Sequence, residues 1–205
     1  MEDYTTIQGT ATAEIEEKRS RFIANASFVD NEQAALDFLA NIRAQHRTAR
    51  HNVYAYVLRE GNRVRYSDDG EPAKTAGLPV LEAIQHSGVT DCIIVVTRYF
   101  GGTLLGTGGL VRAYTASATA ALQQAKIVTV RSCVSVEIIL DYSLYERAVL
   151  LFQGAGARLE EPVFSDKVAL KGILPAGEEA PLAIALQELT RGVQPQISAP
   201  FYLPF

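Results

Sequence analysis

The chain has 205 residues, of which 48% are hydrophobic and 20% are charged, so its composition is that of a globular protein and excludes a disordered one. A formal net charge of −4 argues against a protein that is basic throughout and binds nucleic acid with its whole surface. The acidic start is unlike a signal peptide, and no apolar stretch reaches the ~18 residues of a membrane helix. We therefore expect a cytoplasmic protein with no membrane partner.

The charges are unevenly distributed along the chain. Residues 1–133 carry 14 Lys and Arg against 14 Asp and Glu, whereas residues 134–205 carry five against nine. Eleven of the fourteen cations in the first part are Arg, whose planar guanidinium suits phosphate. An anion-binding surface is therefore expected on the first part, while the acidic second part is a candidate for contact with a protein partner.

The first part alternates predicted strands and helices. Alternating apolar residues predict a strand over 21–29, and Asp30 is the expected N-cap of a helix to about residue 45, with Gln33 reaching back. Residues 52–59 and 63–67 are predicted to form a hairpin. A helix over 78–86, a fully apolar central strand over 91–97, a helix over 109–125 and a strand over 127–134 follow.

The second part has the order β-α-β-β-α-β. A strand over 134–140 precedes a helix that the capping box Ser143 to Glu146 is expected to open. Strands over 158–164 and 167–174 are predicted to pair, Pro181 is expected to open a helix, and a last strand lies within 193–202. This order is typical of a ferredoxin-like domain. We place a domain boundary near Cys133, giving domains 1–133 and 134–205 of an α+β protein with α/β sandwich layers.

A glycine-rich loop lies between the apolar strand and the following helix. Its amides and the helix N-terminus can cradle an anion, with Arg98 and Arg112 at either side. The rings of Tyr99, Phe100 and Tyr114 are candidates for stacking on a base. Alternatively, the glycines only allow the helix to pack on the sheet. Neither a Walker A loop nor a dinucleotide fingerprint fits. The five glycines are Gly101, Gly102, Gly106, Gly108 and Gly109.

The second segment with a concentration of candidate functional residues is an acidic loop, Ser67-Asp-Asp-Gly-Glu-Pro72. Its carboxylates, Asp68, Asp69 and Glu71, can hold Mg²⁺ or Ca²⁺, act as turn residues, or pair with Arg98, Arg112 or Lys74 and so shape the loop. The turn interpretation is the commoner outcome for such clusters, so no metal ligand is assigned and no cofactor is expected.

Histidine and cysteine give weaker signals. His51 opens a predicted strand and is either a base or a half-buried partner. The neighbouring Arg43, Arg47 and Arg50 are interpreted as a solvated helix face. Cys92 and Cys133 are expected to be buried strand residues.

Several motifs together resemble the Impact family, in its bacterial YigZ-like branch. They cover about residues 15–125, whereas the last third agrees in layout only. The matching segments are Ser20-Arg-Phe22, Arg50-His51, Ser67-Asp-Asp-Gly-Glu-Pro72 with Thr75-Ala-Gly77, Arg98-Tyr-Phe-Gly-Gly102, and Leu105-Gly-Thr-Gly-Gly-Leu-Val-Arg112-Ala-Tyr114.

The resemblance implies two domain folds. The first domain would be ribosomal protein S5 domain 2-like, as in domain IV of elongation factor G, and the second ferredoxin-like, as in domain V of that factor. It also implies RNA or ribosome binding. Eukaryotic members regulate translation by contacting the activator of an initiation factor kinase through an extra N-terminal domain. This chain begins directly at the Impact domain, so that partner is not expected here.

Three functional hypotheses follow. The first is an RNA- or ribosome-binding protein that takes part in the regulation of translation. The alternative is a metal- or phosphate-dependent enzyme of hydrolase type that uses the acidic and glycine-rich loops. The third is a regulator that binds a protein through the acidic second domain. No residue is assigned as catalytic. The candidate binding residues are Arg21, His51, Lys74, Arg98, Tyr99, Gly101, Gly102, Gly106, Gly108, Gly109, Arg112 and Tyr114.

Overall fold

The structure is a computed structural model, and it describes residues 3–204. Part of the acidic start, Met1 and Glu2, lies outside the described residues. Within them the chain is an α+β protein with two antiparallel sheets and five α-helices. It divides into two compact units: a first unit, Tyr4–Thr129, and a second unit made of Val130 onward together with Asp3.

The first unit is built on a five-stranded antiparallel sheet, whose strands are β2 (Thr10–Glu17), β3 (Ser20–Phe28), β4 (His51–Leu58), β5 (Arg63–Ser67) and β6 (Cys92–Tyr99). They lie in the order β2-β3-β6-β4-β5, and a further strand, β1 (Tyr4–Gln8), is not part of this sheet. The helices are α1 (Glu32–Gln45), α2 (Gly77–Ser87) and α3 (Thr107–Gln124).

Helices cover both faces of this sheet, which explains the composition of its central strand. The helices α2 and α3 pack on one face, and α1 packs on the other. In β6, the residues from Cys92 to Arg98 are therefore all buried. This confirms the prediction of a central apolar strand, because a strand covered on both sides needs no polar alternation.

The start of the first unit differs from the sequence-based expectations. No strand is predicted before residue 21, yet β1 and β2 lie there. The helix α1 is capped by Asn31, whose side chain accepts the Ala34 N–H at 2.8 Å, so the expectation of Asp30 as the cap is wrong. Gln33 donates to Asp37 instead of reaching back. The predicted hairpin is confirmed as β4 and β5.

The second unit contains a sheet in which each neighbouring pair of strands is antiparallel. The last strands of the chain pair with β7, which pairs with β10, which in turn pairs with β8 and β9. The strands are β7 (Lys126–Leu140), β8 (Arg158–Leu159), β9 (Val163–Phe164), β10 (Val168–Pro175), β11 (Gln196–Ile197) and β12 (Phe201–Pro204). Two helices, α4 (Tyr145–Gly154) and α5 (Glu179–Leu189), complete the core of this unit.

Local details of the second unit differ from the expectations. The two strands predicted on either side of residue 134 are one continuous strand, β7. The capping box at Ser143 does not form: a short 3₁₀ turn occupies Tyr142–Leu144, and no side chain caps α4. The helix α5 begins two residues before Pro181, which the first turn tolerates because its N–H would have no helical partner.

No helix in the described part of the chain combines the length and the apolar character needed to cross a membrane.

Candidate functional site

A cleft of about 450 Å³ lies in the first unit where the two predicted loops meet. The end of β6 forms one part of it, and the glycine-rich loop with the first residues of α3 forms another. The start of β4 and the acidic loop before α2 complete its walls. Its lining residues include Arg50, His51, Glu71, Arg98, Phe100 and Gly106.

A buried ion pair lies beside this cleft. The Arg98 guanidinium donates to Glu71 Oε1 at 2.7 Å, and the two side chains are only 7% and 4% exposed. Tyr114 donates its hydroxyl to the same oxygen at 2.8 Å. Burial, and then the Glu71 carboxylate, raise the pKa of the Tyr114 phenol well above its usual range, so this hydroxyl remains a donor. The three groups form one charge-balanced cluster that joins the acidic loop to β6 and α3.

One donor of Arg98 remains without an acceptor. Its Nη2 lies 3.4 Å from Ser20 Oγ, a long contact, while its buried Nε has no hydrogen-bond partner within residues 3–204. A buried guanidinium N–H normally has a partner, since leaving it unmet costs about 1–3 kcal/mol. Arg98 therefore lines the cleft and keeps one N–H, at its buried Nε, without an acceptor.

The acidic loop orients His51 through its backbone. His51 Nδ1 lies 2.8 Å from the carbonyl oxygen of Asp69. A carbonyl oxygen only accepts, so Nδ1 carries the proton and the other ring nitrogen, Nε2, is left for other partners. The register of the sheet sets His51 opposite Arg98 on the neighbouring strand. A histidine and an arginine are thus held side by side at the cleft.

The carboxylates of the acidic loop are used inside the fold. Asp68 accepts the backbone N–H groups of Lys74, Ala76 and Gly77 at 2.8–3.0 Å, which caps the start of α2. Asp69 accepts the Asn52 N–H at 2.6 Å and a bond from Arg43 at 2.8 Å. Of the three cationic partners considered from sequence, only Arg98 forms an ion pair with this loop, through Glu71.

These contacts bear on whether the loop is a metal centre. Each carboxylate already accepts from protein donors, and among residues 3–204 no three His, Cys, Asp or Glu side chains are grouped so as to hold a metal ion. The described residues therefore offer no ready-made ligand set for Mg²⁺ or Ca²⁺, whose sites need several oxygens around one point.

The glycine-rich loop is shaped by close backbone approach. A Cβ on Gly101 would lie 2.0 Å from the carbonyl carbon of Arg19, in the turn between β2 and β3, so only glycine fits there. The Gly101 N–H donates to Ser20 Oγ at 3.2 Å, which fixes the loop to β3. Gly106 has φ +74° and is the N-cap of α3, with no side chain accepting from the first turn. The N-terminus of an 18-residue helix is thus left uncapped at the cleft.

Exposed cations and exposed apolar side chains lie on the segments that form the cleft, and of the cations Arg50 lines the cleft itself. Arg50, Lys74 and Arg112 are exposed, and none of the three has a carboxylate partner within the described residues. Phe100 is 49% exposed and Leu104 is 82% exposed. A positively charged opening beside an exposed ring is a suitable surface for a phosphate-bearing ligand with a planar group.

Not every predicted residue lies at the cleft. Tyr99 alternates with Arg98 along β6, and its hydroxyl meets His46 Nδ1 at 2.9 Å near α1. Arg21 pairs with Glu14 at 2.8 Å and lies over the Tyr99 ring. Tyr114 is fully buried, so the expectation that its ring stacks on a base is wrong. The residue instead stabilises the cleft through its hydrogen bond to Glu71.

Sequence reasoning passed over two residues that shape the cleft. Arg50 was expected on a solvated helix face, but it follows α1 and lines the cleft beside His51. Ser20 was noted only within a motif, yet its hydroxyl contacts both Gly101 and Arg98. The adjacency of Arg50 to His51 was the available signal. Nothing in the spacing linked Ser20 to a loop about 80 residues later.

Fold and cleft together define an α+β protein of two compact units whose candidate site is lined by arginine and histidine. The sequence model of the Impact N-terminal domain matches residues 18–122. The chain is 34% identical to "IMPACT family member YvyE" of Bacillus subtilis (strain 168), covering 94% of this chain and 89% of that protein. It is 36% identical to "IMPACT family member YigZ" of Escherichia coli (strain K12), covering 94% and 96%.

A solved structure described as "Crystal structure of an hypothetical protein" matches with a TM-score of 0.63 and 34% identity, over 97% of this chain and 98% of that one. The chain therefore belongs to the Impact family, which confirms the resemblance seen in its motifs.

Proposed function

We propose that this protein binds RNA through its phosphates, with the cleft of the first unit as the centre of the binding surface, and acts in the regulation of translation. The observation that carries the proposal is the uncapped N-terminus of α3 facing a cleft lined by Arg50, His51 and Arg98. Backbone amides at a helix N-terminus, with the helix dipole, favour a phosphate oxygen there.

The distribution of paired and unpaired charge supports the same surface. Several exposed guanidinium groups of the first unit that lie away from the cleft, such as those of Arg21 and Arg63, pair with carboxylates. Arg50, Lys74 and Arg112 have no such partner in the described chain. Cations without carboxylate partners can neutralise phosphates without first breaking an ion pair, which favours binding of a polyanion.

The arrangement of strands supports a link to translation. The second unit follows the order β-α-β-β-α-β along the chain, if β8 with β9 and β11 with β12 are each counted as one strand. In the sheet, these four strands lie in the order fourth, first, third, second. We propose that this unit is a ferredoxin-like domain, and that the first unit is a ribosomal protein S5 domain 2-like domain. The family resemblance implies this pair of folds for the chain, and elongation factor G, a ribosome-binding protein, has the same two folds in its domains V and IV, respectively.

The test is binding of the full chain to a fluorescein-labelled single-stranded RNA, followed by anisotropy at several salt concentrations. We expect binding that weakens steeply with salt, because phosphate neutralisation releases counterions. The double substitution Lys74→Gln and Arg112→Gln should weaken binding and lower the salt slope by about 0.7 for each phosphate that is no longer neutralised. Arg147→Gln, an exposed cation of α4 in the second unit, is the control and should change neither.

Two results would reject RNA binding by this surface. One is the lack of any salt-sensitive association at low ionic strength. The other is an equal loss of affinity in the Lys74→Gln and Arg112→Gln double variant and in a control of equal charge, Arg147→Gln with Arg191→Gln.

A further inference from the structure

We propose that the cleft recognises a phosphate monoester carried on a single nucleotide, so that the protein prefers the phosphorylated end of a strand to its interior. This inference rests on the proposed RNA-binding function and specifies which part of the ligand enters the cleft. Three features carry it: the donors at the cleft, the depth of Arg98, and the size and rim of the cleft.

The donors suit a group with more charge than a diester. A phosphate monoester carries about −1.5 to −2 charges at neutral pH, whereas each interior phosphate of a strand carries a single negative charge. The first turn of α3 offers the amides of Thr107, Gly108 and Gly109 without a capping side chain. Arg50 adds a full charge that no carboxylate of the described chain offsets. A dianionic oxygen cluster uses more of these donors than a singly charged phosphate does.

The depth of Arg98 favours a chain end. Its side chain lines the cleft but is only 7% exposed, so a phosphate oxygen that contacts this guanidinium lies below the rim of the cleft. An interior phosphate has a sugar on both sides, and both sugars would have to enter with it. A monoester has a sugar on one side only, and its remaining oxygens are free to point inward.

The ion pair with Glu71 fixes the position of the Arg98 guanidinium at the base of the cleft. Because Glu71 already balances the charge of Arg98, the site keeps its geometry when no ligand is bound. The bond from Tyr114 to the same carboxylate holds that oxygen in place. A preorganised group loses little conformational entropy on binding, which favours a discrete pocket over a surface that only attracts polyanions.

The volume and the rim match one nucleotide. The cleft measures about 450 Å³, within the roughly 300–1,000 Å³ of small-molecule sites. Phe100 lines it and is half exposed, so its ring can stack on one base while the phosphate lies at α3. Leu104, 82% exposed on the same loop, extends the apolar side of the rim. A longer strand would continue outward across the cations Lys74 and Arg112.

The experiment compares ends that differ only in phosphate. The full chain is titrated against one fluorescent hexaribonucleotide prepared with a 5′-phosphate, with a 3′-phosphate, or with hydroxyls at both ends. Adenosine 5′-monophosphate and inorganic phosphate are the small competitors. We expect one phosphorylated end to bind at least tenfold more tightly than the hydroxyl form. We also expect the mononucleotide, more than inorganic phosphate, to displace it.

Variants assign that preference to the cleft. Because Arg50 belongs to the proposed RNA-binding surface, Arg50→Gln should weaken the binding of all three RNAs, and it should in addition reduce the advantage of the phosphorylated end at least fivefold. Phe100→Ala should weaken displacement by the mononucleotide but not by inorganic phosphate. Arg147→Gln should preserve every ratio. Both cleft residues are exposed enough for substitution without loss of the fold, and circular dichroism verifies this.

The outcomes separate the two proposals. Equal, salt-sensitive binding of all three RNAs would overturn the end preference and leave RNA binding standing. Binding of the mononucleotide without binding of any RNA would reject RNA binding and retain the nucleotide cleft. A preference for a phosphorylated end that persists in Arg50→Gln and Phe100→Ala alike would show that the end is recognised elsewhere, and would overturn the inference.

Discussion

Replacing Glu71 by Gln tests the buried cluster that supports the cleft. The substitution keeps the shape of the side chain and one acceptor for Tyr114, but it leaves the Arg98 guanidinium, 7% exposed, without a counter-charge. Breaking a buried ion pair by removing one partner costs about 3–5 kcal/mol. Because Gln still accepts one hydrogen bond, we expect the lower end, about 3 kcal/mol of the unfolding free energy of the first unit.

Hydrogen exchange measures this unit directly. The amides of Ile93 to Val96 lie at the centre of the five-stranded sheet and should exchange only when the first unit unfolds. A decrease of about 3 kcal/mol corresponds to an exchange rate about 150-fold higher. Glu82→Gln is the charge-matched control on the exposed side of α2, and it should change the rate less than about threefold.

A second variant distinguishes the effect of the unpaired buried charge from a nonspecific loss of stability. Adding Arg98→Met to Glu71→Gln removes the buried charge, so the double variant should recover at least half of the stability that the single variant loses. The reasoning is refuted if Glu71→Gln exchanges no faster than Glu82→Gln. It is equally refuted if the double variant is less stable than the single one.

Three further predictions concern the loop glycine, the acidic cap and a buried thiol. Gly101→Ala would bring a Cβ to 2.0 Å from the Arg19 backbone, so we expect a loss of about 3 kcal/mol or more in a urea titration. Asp68→Ala removes the acceptor of three backbone N–H groups and should cost about 2 kcal/mol, measured in the same way. Burial, and then the Asp91 carboxylate, raise the pKa of the Cys92 thiol to about 12, so the native protein should not react with a disulfide reagent at this thiol near pH 8.

The first two of these have matched controls. Gly154→Ala has open space around it and should be neutral or slightly stabilising; a loss like that of Gly101→Ala would contradict the steric argument. Asp68→Asn, which keeps one acceptor oxygen, should lose less stability than Asp68→Ala, and an equal loss would count against the capping role.

The thiol also sets a pH dependence. Its folded pKa lies above the ordinary 9.0, so its stabilising effect is complete below pH 9 and is lost as the pH rises from 9 toward 12. In that window the unfolding free energy should fall more steeply for the wild type than for Cys92→Ala, by up to about 1.4 kcal/mol per pH unit. Parallel curves would contradict the raised pKa.

Strongly periodic elements are well predicted from the sequence, and elements with little hydrophobic contrast are not. The apolar run that became β6 and the alternation in β3 identify the centre of the sheet. The sequence analysis does not predict the strand β2, because its inward positions Ala11 and Ala13 are alanines, whose small side chains contrast only weakly with the threonines beside them. The predicted capping box before α4 is wrong, because a 3₁₀ turn precedes this helix and no side chain caps its N-terminus.

For the site, the sequence indicates the loops but not how they meet. The glycine spacing and the acidic run identify the two walls of the cleft. The pair of Arg98 and Glu71 spans 27 positions, and the contact of Gly101 with Arg19 depends on the pairing of β3 with β6. Such contacts follow from sheet register, which a single sequence does not specify. Burial likewise distinguishes Tyr114 from Phe100, although both are aromatic residues of one motif.

The half-exposed ring of Phe100 has a practical consequence for spectroscopy. The chain contains no tryptophan, so a Phe100→Trp protein would hold a single indole, at the rim of the cleft and near the Arg98 guanidinium, which lies 5.7 Å from the present ring. Its emission would report on that one location with no tryptophan background from the rest of the fold. The protein thus offers a natural position for an intrinsic optical probe, on which occupancy of the cleft can be read without any attached dye.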